Sequence, residues 1–456
     1  MKYHLIGIGG LAVQGLGKLL IEGGDEISGC DLKQPTFSNR LSTINFQLGH
    51  SENHITKDLD GVIVTVAALH ESSPAKNEIE QARKMKIPVI RVRQMINKLM
   101  SKPGIIGIAI SGMHGKTTTS SMIAAILEKA ELEPTVLVGG EVRNIGVNAK
   151  LGKGKYFVTE ACENERQFLD LHPKIAVITN IEEEHLDTYP GGMKDIKQAF
   201  KKFIRSLPED GLLVVWQEDR NLMSLIKAAK CKVKRVSINK PWPGLKLKIP
   251  GKHILLDATF AARVAHEIGI SSKIIRGSLN NYQGAKRRFE IKGAKNGVTV
   301  IDDYGHHPTE IKATIEAARE FIHANSKSEI LNPKQNSKLQ TPNSKLIVVF
   351  QPHQYLRTKM LFKDFATAFN QADKLLITDI YLIAGREPAE ARADFSKDLA
   401  EEIKKHGVDV SYIPKGKNYE NITSELNKIA KKDDVVLTLG ATDIYKVGEE
   451  FIKEGK

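Results

Sequence analysis

Apolar and polar positions along this chain alternate in repeated strand-then-helix units. The apolar run at 3–7 reads as a short strand, followed by a glycine turn, a helix, and a second strand over 26–30 that ends at Asp31. Apolar residues 61–67, a helix-like stretch at 75–86 and a run at 87–92 continue the alternation, the pattern of βαβ units around a parallel sheet. After Lys102-Pro103-Gly104 a second series begins, with an apolar stretch at 104–110 and strands over 156–159, 175–179 and 212–216, amphipathic helices lying between. A third series places strands at 298–301, 346–350, 375–378, 408–412 and 435–439. There Ile311, Ile315, Ala318 and Ile322 fall at helical spacing behind Pro308, a favourable first-turn residue. Between that helix and the next strand lies a polar stretch, 325–345, in which Asn-Ser-Lys recurs with Pro333 and Pro342. It reads as a disordered surface insertion.

Composition changes this picture little. At 456 residues the chain exceeds one ordinary core, and 41% hydrophobic with 27% charged residues suits a globular protein. No apolar segment approaches the ~18 residues of a membrane span, and the first residues lack the apolar region of an export signal. Cys30, Cys162 and Cys231 show neither metal nor disulfide spacing, so a cytoplasmic location is expected. The net charge of +13 invites a nucleic-acid reading, but aromatics are only 6% and do not interleave with basic clusters. Anionic nucleotide substrates account for the sign without a nucleic-acid partner.

The chemistry is densest at Ser111-Gly112-Met113-His114-Gly115-Lys116-Thr117-Thr118-Thr119, directly behind an apolar strand. Glycines let such a loop turn backbone N–H groups toward phosphate oxygens, and the following helix N-terminus adds positive potential. Lys116 can then reach the β/γ-phosphates and Thr117 can hold Mg²⁺. The general pattern is not strictly met, since its opening glycine is absent, but the strand-loop-helix context predicts an ATP site. Glu160 and His185 each follow a strand, where a parallel sheet places its ligands; a carboxylate and an imidazole there suit a second Mg²⁺. Glu182, Glu183 and Glu184 read as a surface acidic turn. Downstream stand Lys286-Arg287-Arg288-Phe289-Glu290, with arginines suited to a phosphoryl group, and Asp302-Asp303-Tyr304-Gly305-His306-His307-Pro308, whose paired histidines serve either as a helix cap or at a substrate. The first turn, Gly7-Ile8-Gly9-Gly10-Leu11-Ala12 with Asp31 about 20 residues on, alone suggests a dinucleotide.

Taken in order, Gly-x-His-Gly-Lys-Thr-Thr-Thr, Glu-Ala-x-Glu, Thr-Asn-Ile-Glu-x-x-His-x-Asp, Lys-Arg-Arg-Phe-Glu, Asp-Asp-Tyr-Gly-His-His-Pro-Thr-Glu-Ile and Phe-Gln-Pro-His resemble the Mur ligase family of peptidoglycan synthesis. The resemblance runs from the Gly7 turn to Gly440-Ala441-Thr442-Asp443-Ile444, and within the family it is greatest for members that attach L-alanine to UDP-N-acetylmuramate. It implies an α/β protein of three domains. These are a Rossmann-like UDP-sugar domain over 1–102, a P-loop ATPase-type domain with a parallel or mixed sheet over 103–290, and a Rossmann-like amino-acid domain over 291–456 that closes over the nucleotide. UDP, not NAD, then belongs to Gly7, Gly9, Gly10 and Asp31. ATP and Mg²⁺ are the implied cofactors. Gly112, His114, Gly115, Lys116, Thr117 and Thr118 would take the phosphates and Mg²⁺, and Glu160 with His185 the second metal. His253 and Asp257 fall at the adenine pocket, Asp303 at the ATP ribose, and Arg288 at the phosphates. His306, His307 and Arg357 fall at the reacting carboxylate and amine, with His307 the candidate base. The protein would work as a monomer or homodimer.

The chain departs from the family pattern in several places. Ala12, Val13 and Gln14 replace a Gly-Met-Ser portion, and Val66-Ala67-Ala68 lacks two hydroxyls expected near the diphosphate. Asp257 stands where Asn is usual, so its carboxylate only accepts hydrogen bonds; Gln354 stands for a common Arg. Three competing readings are a ligase that recycles murein peptides onto the same sugar, a non-catalytic nucleotide-binding homologue, and an NAD-dependent oxidoreductase. Phe350-Gln351-Pro352-His353 favours the single amino acid over the peptide, and the intact phosphate and metal positions argue for catalysis. The oxidoreductase leaves the P-loop unexplained.

Overall fold

The computed structural model describes residues 1–35, 44–330, 344–383 and 387–453. Its three sheets are built as the alternating pattern requires. The first is wholly parallel: β1 (Lys2–Ile6), β2 (Glu26–Asp31), β3 (Asn45–Leu48), β4 (Gly61–Val64) and β5 (Val89–Arg91), in the order β3-β2-β1-β4-β5. The second contains β6 (Ile106–Ser111), β7 (Thr135–Val142), β8 (Val147–Lys150), β9 (Tyr156–Glu160), β10 (Ile175–Ile178), β11 (Leu212–Trp216) and β12 (Lys232–Val236). Their order is β12-β11-β10-β6-β9-β7-β8, with only β8 antiparallel to its neighbour. The third holds β13 (Glu290–Lys295), β14 (Val298–Asp303), β15 (Leu346–Phe350), β16 (Lys374–Ile377), β17 (Val410–Tyr412) and β18 (Val435–Leu439), ordered β13-β14-β18-β15-β16-β17 with β13 antiparallel. The expected α/β class, with parallel and mixed sheets, is what the chain forms.

Two compact units emerge. One comprises Met1–Lys248 and Leu255–Ala285 and carries the first two sheets; the other comprises Ile249–Ile254 and Lys286–Lys456 and carries the third. In both, central strands are buried on either face: β6 is buried from Gly107 onward and β15 throughout. That is why they read as continuous apolar runs in the sequence. The helix after β6, Lys116–Lys129, is buried from Thr117 to Leu127 despite its hydroxyl-rich start. Ser120 donates to the Thr117 carbonyl at 3.1 Å and Ser121 to that of Thr118 at 2.9 Å, so these buried groups are satisfied within the helix.

One expectation changes. The polar stretch at 325–345 does not begin as irregular chain, because the helix Pro308–Ile330 continues through its first residues; 331–343 lie outside the described residues. No described helix is long and apolar enough to cross a membrane.

Candidate active site

Three adjacent strands, β10, β6 and β9, end together in the second sheet, and the phosphate-loop residues lie at those ends. Gly112 takes φ +118° and Gly115 φ +80°. A Cβ on Gly112 would come within 2.2 Å of the Thr179 hydroxyl, and one on Gly115 within 2.5 Å of Asp257 Oδ1. Only glycine satisfies both the conformation and the space. The segment after β10 braces the loop. Met113 N–H donates to the Asn180 carbonyl at 3.3 Å, His114 N–H to Asn180 Oδ1 at 3.1 Å, and Asn180 Nδ2 returns a bond to the His114 carbonyl at 3.0 Å. Those two N–H groups are thereby engaged within the loop, and the helix Lys116–Lys129 opens directly behind it with the positive end of its dipole.

Lys116 is bound on several sides. Its Nζ donates to the Gly112 and Met113 carbonyls at 2.5 and 2.9 Å and pairs with Glu163 at 2.9 Å. Burial opposes the ammonium, but the Glu163 carboxylate outweighs it and raises the lysine pKa. For Glu163, burial is likewise opposed by Lys116 and by a hydrogen bond from His185, and its pKa is lowered. His185 Nε2 lies 3.3 Å from Glu163 and 3.9 Å from Glu184. Glu163, Glu184 and His185 thus form a group able to share one cation. Glu163 and Glu184 are the residues that sequence reasoning missed. Glu184 is only 6% exposed, so it does not belong to a surface turn. Glu183 is exposed and accepts the Met193 N–H, and Glu182 pairs with His114 at 3.3 Å. The signal for Glu163 was its place three residues beyond Glu160, past the strand end.

Glu160 ends β9, with its carboxylate accepting the Gly139 N–H at 2.6 Å and its carbonyl accepting Arg93 Nη1 at 2.8 Å. Asp257 is buried and accepts the Thr119 hydroxyl at 3.1 Å, placing it beneath the phosphate loop. In the first sheet, Gly7 and Ile8 donate N–H groups to the Cys30 carbonyl. Asp31 Oδ2 accepts the Gly9 N–H at 2.8 Å, so this acid shapes the turn. Gln14 holds the other side through the Gly9 carbonyl at 3.0 Å, and Gly10 N–H closes on Gly7. The segment 66–68 enters a short 3₁₀ turn in which the Thr65 hydroxyl accepts the Ala68 N–H at 3.2 Å, and a Cβ on Gly7 would meet the Thr65 methyl at 3.3 Å.

The other unit gathers its own set. Asp303 ends β14, accepting N–H groups from Phe289 and Gly305 at 2.7 Å each. Burial raises its pKa, with Arg288 opposing. Asp302, pushed up to about 6 by burial and held back by Arg287, binds Arg287 and Thr438. Arg287 also reaches the Gly440 carbonyl at 2.5 Å, so it acts as an internal strut, while Arg288 lies over the Tyr304 ring at 5.0 Å. Glu310 accepts the N–H groups of His306 and His307, which ties the pair's backbone to the start of the helix. The His306 ring meets His353 edge-on at 6.0 Å, and Arg357 donates to His353 at 3.2 Å. His306, His353 and Arg357 therefore share one corner, whereas His307 is buried, its Nδ1 accepting the Thr309 N–H. His253 is kept neutral at physiological pH, its pKa lowered to about 4 chiefly by burial.

Comparison with known proteins bears on the whole chain. Residues 2–103 match the Mur ligase family catalytic domain, 110–265 the Mur ligase middle domain, and 287–331 with 334–442 the Mur ligase glutamate ligase domain. The UDP-N-acetylmuramate–L-alanine ligase of Caldanaerobacter subterraneus subsp. tengcongensis is 38% identical over all of this chain and 98% of its own length. That of Acetivibrio thermocellus is 37% identical over 99% and 95%. Among solved structures, UDP-N-acetylmuramate-alanine ligase of Thermotoga maritima aligns over 100% of this chain and 99% of its own, with a TM-score of 0.77 and 25% identity. A murein peptide ligase from Psychrobacter arcticus shares the fold at TM-score 0.68 and 20% identity over 99% and 98%.

Proposed function

The chain belongs to the Mur ligase family, and we propose that it joins L-alanine to the lactyl carboxylate of UDP-N-acetylmuramate, using ATP, in peptidoglycan precursor synthesis. The observation that carries this reading is the Lys116–Glu163–His185 array, built around a buried carboxylate beside a glycine loop that has no room for a Cβ. Such a cradle fits a nucleotide phosphate, and the carboxylate and imidazole donors fit Mg²⁺. Gly112, Gly115, Lys116, Thr117 and Thr118 would hold the phosphates. Thr117, Glu160, Glu163, Glu184 and His185 are the donors for magnesium, which when bound neutralises phosphate charge.

A carboxylate is a poor electrophile, so its oxygen must first become a leaving group; transfer of the γ-phosphoryl group makes it an acyl phosphate. The neutral amine of alanine then attacks the carbonyl carbon, and the tetrahedral adduct expels phosphate. Negative charge concentrates on oxygen in both steps, where Lys116 and Arg288 supply fixed positive charge. Arg357, positioned by His353, offers a planar fork for the alanine carboxylate, and His306 borders the same corner. His307 is the candidate base. Gly7, Gly9 and Gly10 would take the UDP diphosphate against the turn that Asp31 shapes.

A competition assay tests the acceptor. With UDP-N-acetylmuramate and ATP present, equimolar L-alanine and L-alanyl-D-glutamyl-diaminopimelate should give predominantly the alanyl product. Predominance of the peptide adduct would overturn the assignment.

A further inference from the structure

A second cluster of ligand-type side chains lies in the first sheet, away from the phosphate loop and independent of the activity reading. We propose that His4, Cys30, His54 and Glu78 form a buried site for a divalent transition-metal ion of the zinc class. His4 lies on β1 and Cys30 on the neighbouring β2; His54 ends the 3₁₀ turn Glu52–His54, and Glu78 lies on the helix Lys76–Lys84. One ligand atom from each falls within 4.8 Å of all the others.

The spacing suits tetrahedral coordination. His4 Nε2 is 3.4 Å from Cys30 Sγ, Cys30 Sγ is 3.3 Å from Glu78 Oε1, and His4 Nε2 is 4.0 Å from that oxygen. Metal bonds of about 2.0–2.3 Å at tetrahedral angles give ligand-to-ligand edges of roughly 3.3–3.7 Å. The His54 Nδ1 to Glu78 Oε1 edge, at 2.5 Å, is shorter than any metal site would hold it and must open. The surroundings orient the ligands as outer-shell partners do. His4 Nδ1 is engaged by the Ser28 hydroxyl at 2.8 Å, which turns Nε2 toward the thiol. Glu78 Oε2 is held by His50 Nδ1 at 2.8 Å, and its Oε1 accepts the Ser51 N–H at 3.2 Å.

Charge favours the same conclusion. His4, Cys30 and Glu78 are fully buried. A thiolate, a carboxylate, two neutral imidazoles and a dication sum to zero, which removes the cost of an uncompensated buried charge. On binding, the Cys30 thiol proton is released to solvent and the sulfur takes the metal, while His54 carries its proton on Nε2 and offers Nδ1. The mixture of sulfur, nitrogen and a single carboxylate favours zinc over magnesium. Because the Cys30 carbonyl accepts the Gly7 and Ile8 N–H groups, an ion here would stiffen the strand that supports the first glycine turn.

The test uses the full chain loaded with Zn²⁺ or Co²⁺, dialysed, and examined by elemental analysis, absorption spectroscopy and thermal melting. About one ion per chain is expected to be retained, with tetrahedral cobalt bands and a thiolate-to-cobalt band that vanish in Cys30→Ser and persist in Cys162→Ser. Should Cys30→Ser fail to fold, His54→Ala supplies the second reading: metal affinity at least ~10-fold weaker and a melting temperature that zinc no longer raises. Absence of a thiolate band, its persistence in Cys30→Ser, or unchanged affinity in His54→Ala would overturn the proposal.

Discussion

Replacing Glu163 by Gln probes the array around Lys116 with almost no change of shape. The substitution leaves the ammonium with the Gly112 and Met113 carbonyls and only the weaker influence of Glu184 as counter-charge, in a place where the lysine side chain is 15% exposed and the carboxylate 1%. Breaking a buried pair from one side costs about 3–5 kcal/mol; with two acceptors and some solvent retained, the lower end applies. For a unit of this size, about 3 kcal/mol lowers the melting temperature by roughly 5 °C. The pH dependence follows from the directions of the shifts. Glu163 has a depressed pKa, so its contribution is present above the unfolded carboxylate value of about 4.3 and is lost as pH falls through the lower folded value. Lys116 has a raised pKa, so its contribution is present below its unfolded value of about 10.4 and is lost only as pH rises through the higher folded one. The part of the gap that comes from the Lys116–Glu163 pair should therefore be constant from pH 5 to 8, and removing both charges with Lys116→Met should recover part of it. Calorimetry across that range is the assay. A variant melting within about 1 °C of the parent would refute the reasoning.

Other perturbations are sharper but narrower. Gly112→Ala forces a Cβ to 2.2 Å from the Thr179 hydroxyl and 2.9 Å from the Asn180 backbone at φ +118°, so ATP binding measured by calorimetry should be lost. Asn180→Ala removes the two side-chain bonds that brace His114, leaving the backbone bond to Met113, and should weaken ATP by about tenfold or more, each lost bond costing ~1 kcal/mol. Arg357→Ala should raise KM for L-alanine at least ~10-fold through a lost charge-assisted contact, with KM for ATP unchanged in steady-state assays; equal changes in both would contradict its assignment.

Legibility from the sequence followed burial. The strands read directly are mostly central ones such as β6, β10 and β15, whose two covered faces demand uninterrupted apolar runs. Those passed over include β3, β8, β12 and β13, all at sheet edges; Lys232–Val236 carries three charged residues among its five, with no continuous apolar run to mark it. The phosphate loop was legible because its chemistry is contiguous in the chain. Glu163 and Glu184 were not, since adjacent acidic residues look alike until the fold buries one and exposes its neighbour. Asp31 and Asp303 were recognisable as special, but their use in closing turns depends on backbone geometry. The His4, Cys30, His54 and Glu78 cluster left no trace in spacing because each residue comes from a different element.

Phosphate release from ATP and Mg²⁺ with UDP-N-acetylmuramate, measured with and without each common amino acid and followed by product mass, tests the account most directly. Release that requires both the sugar nucleotide and L-alanine, yielding a product heavier by one alanyl unit, is the expected result. ATP binding without release, or release independent of the sugar nucleotide, would contradict it.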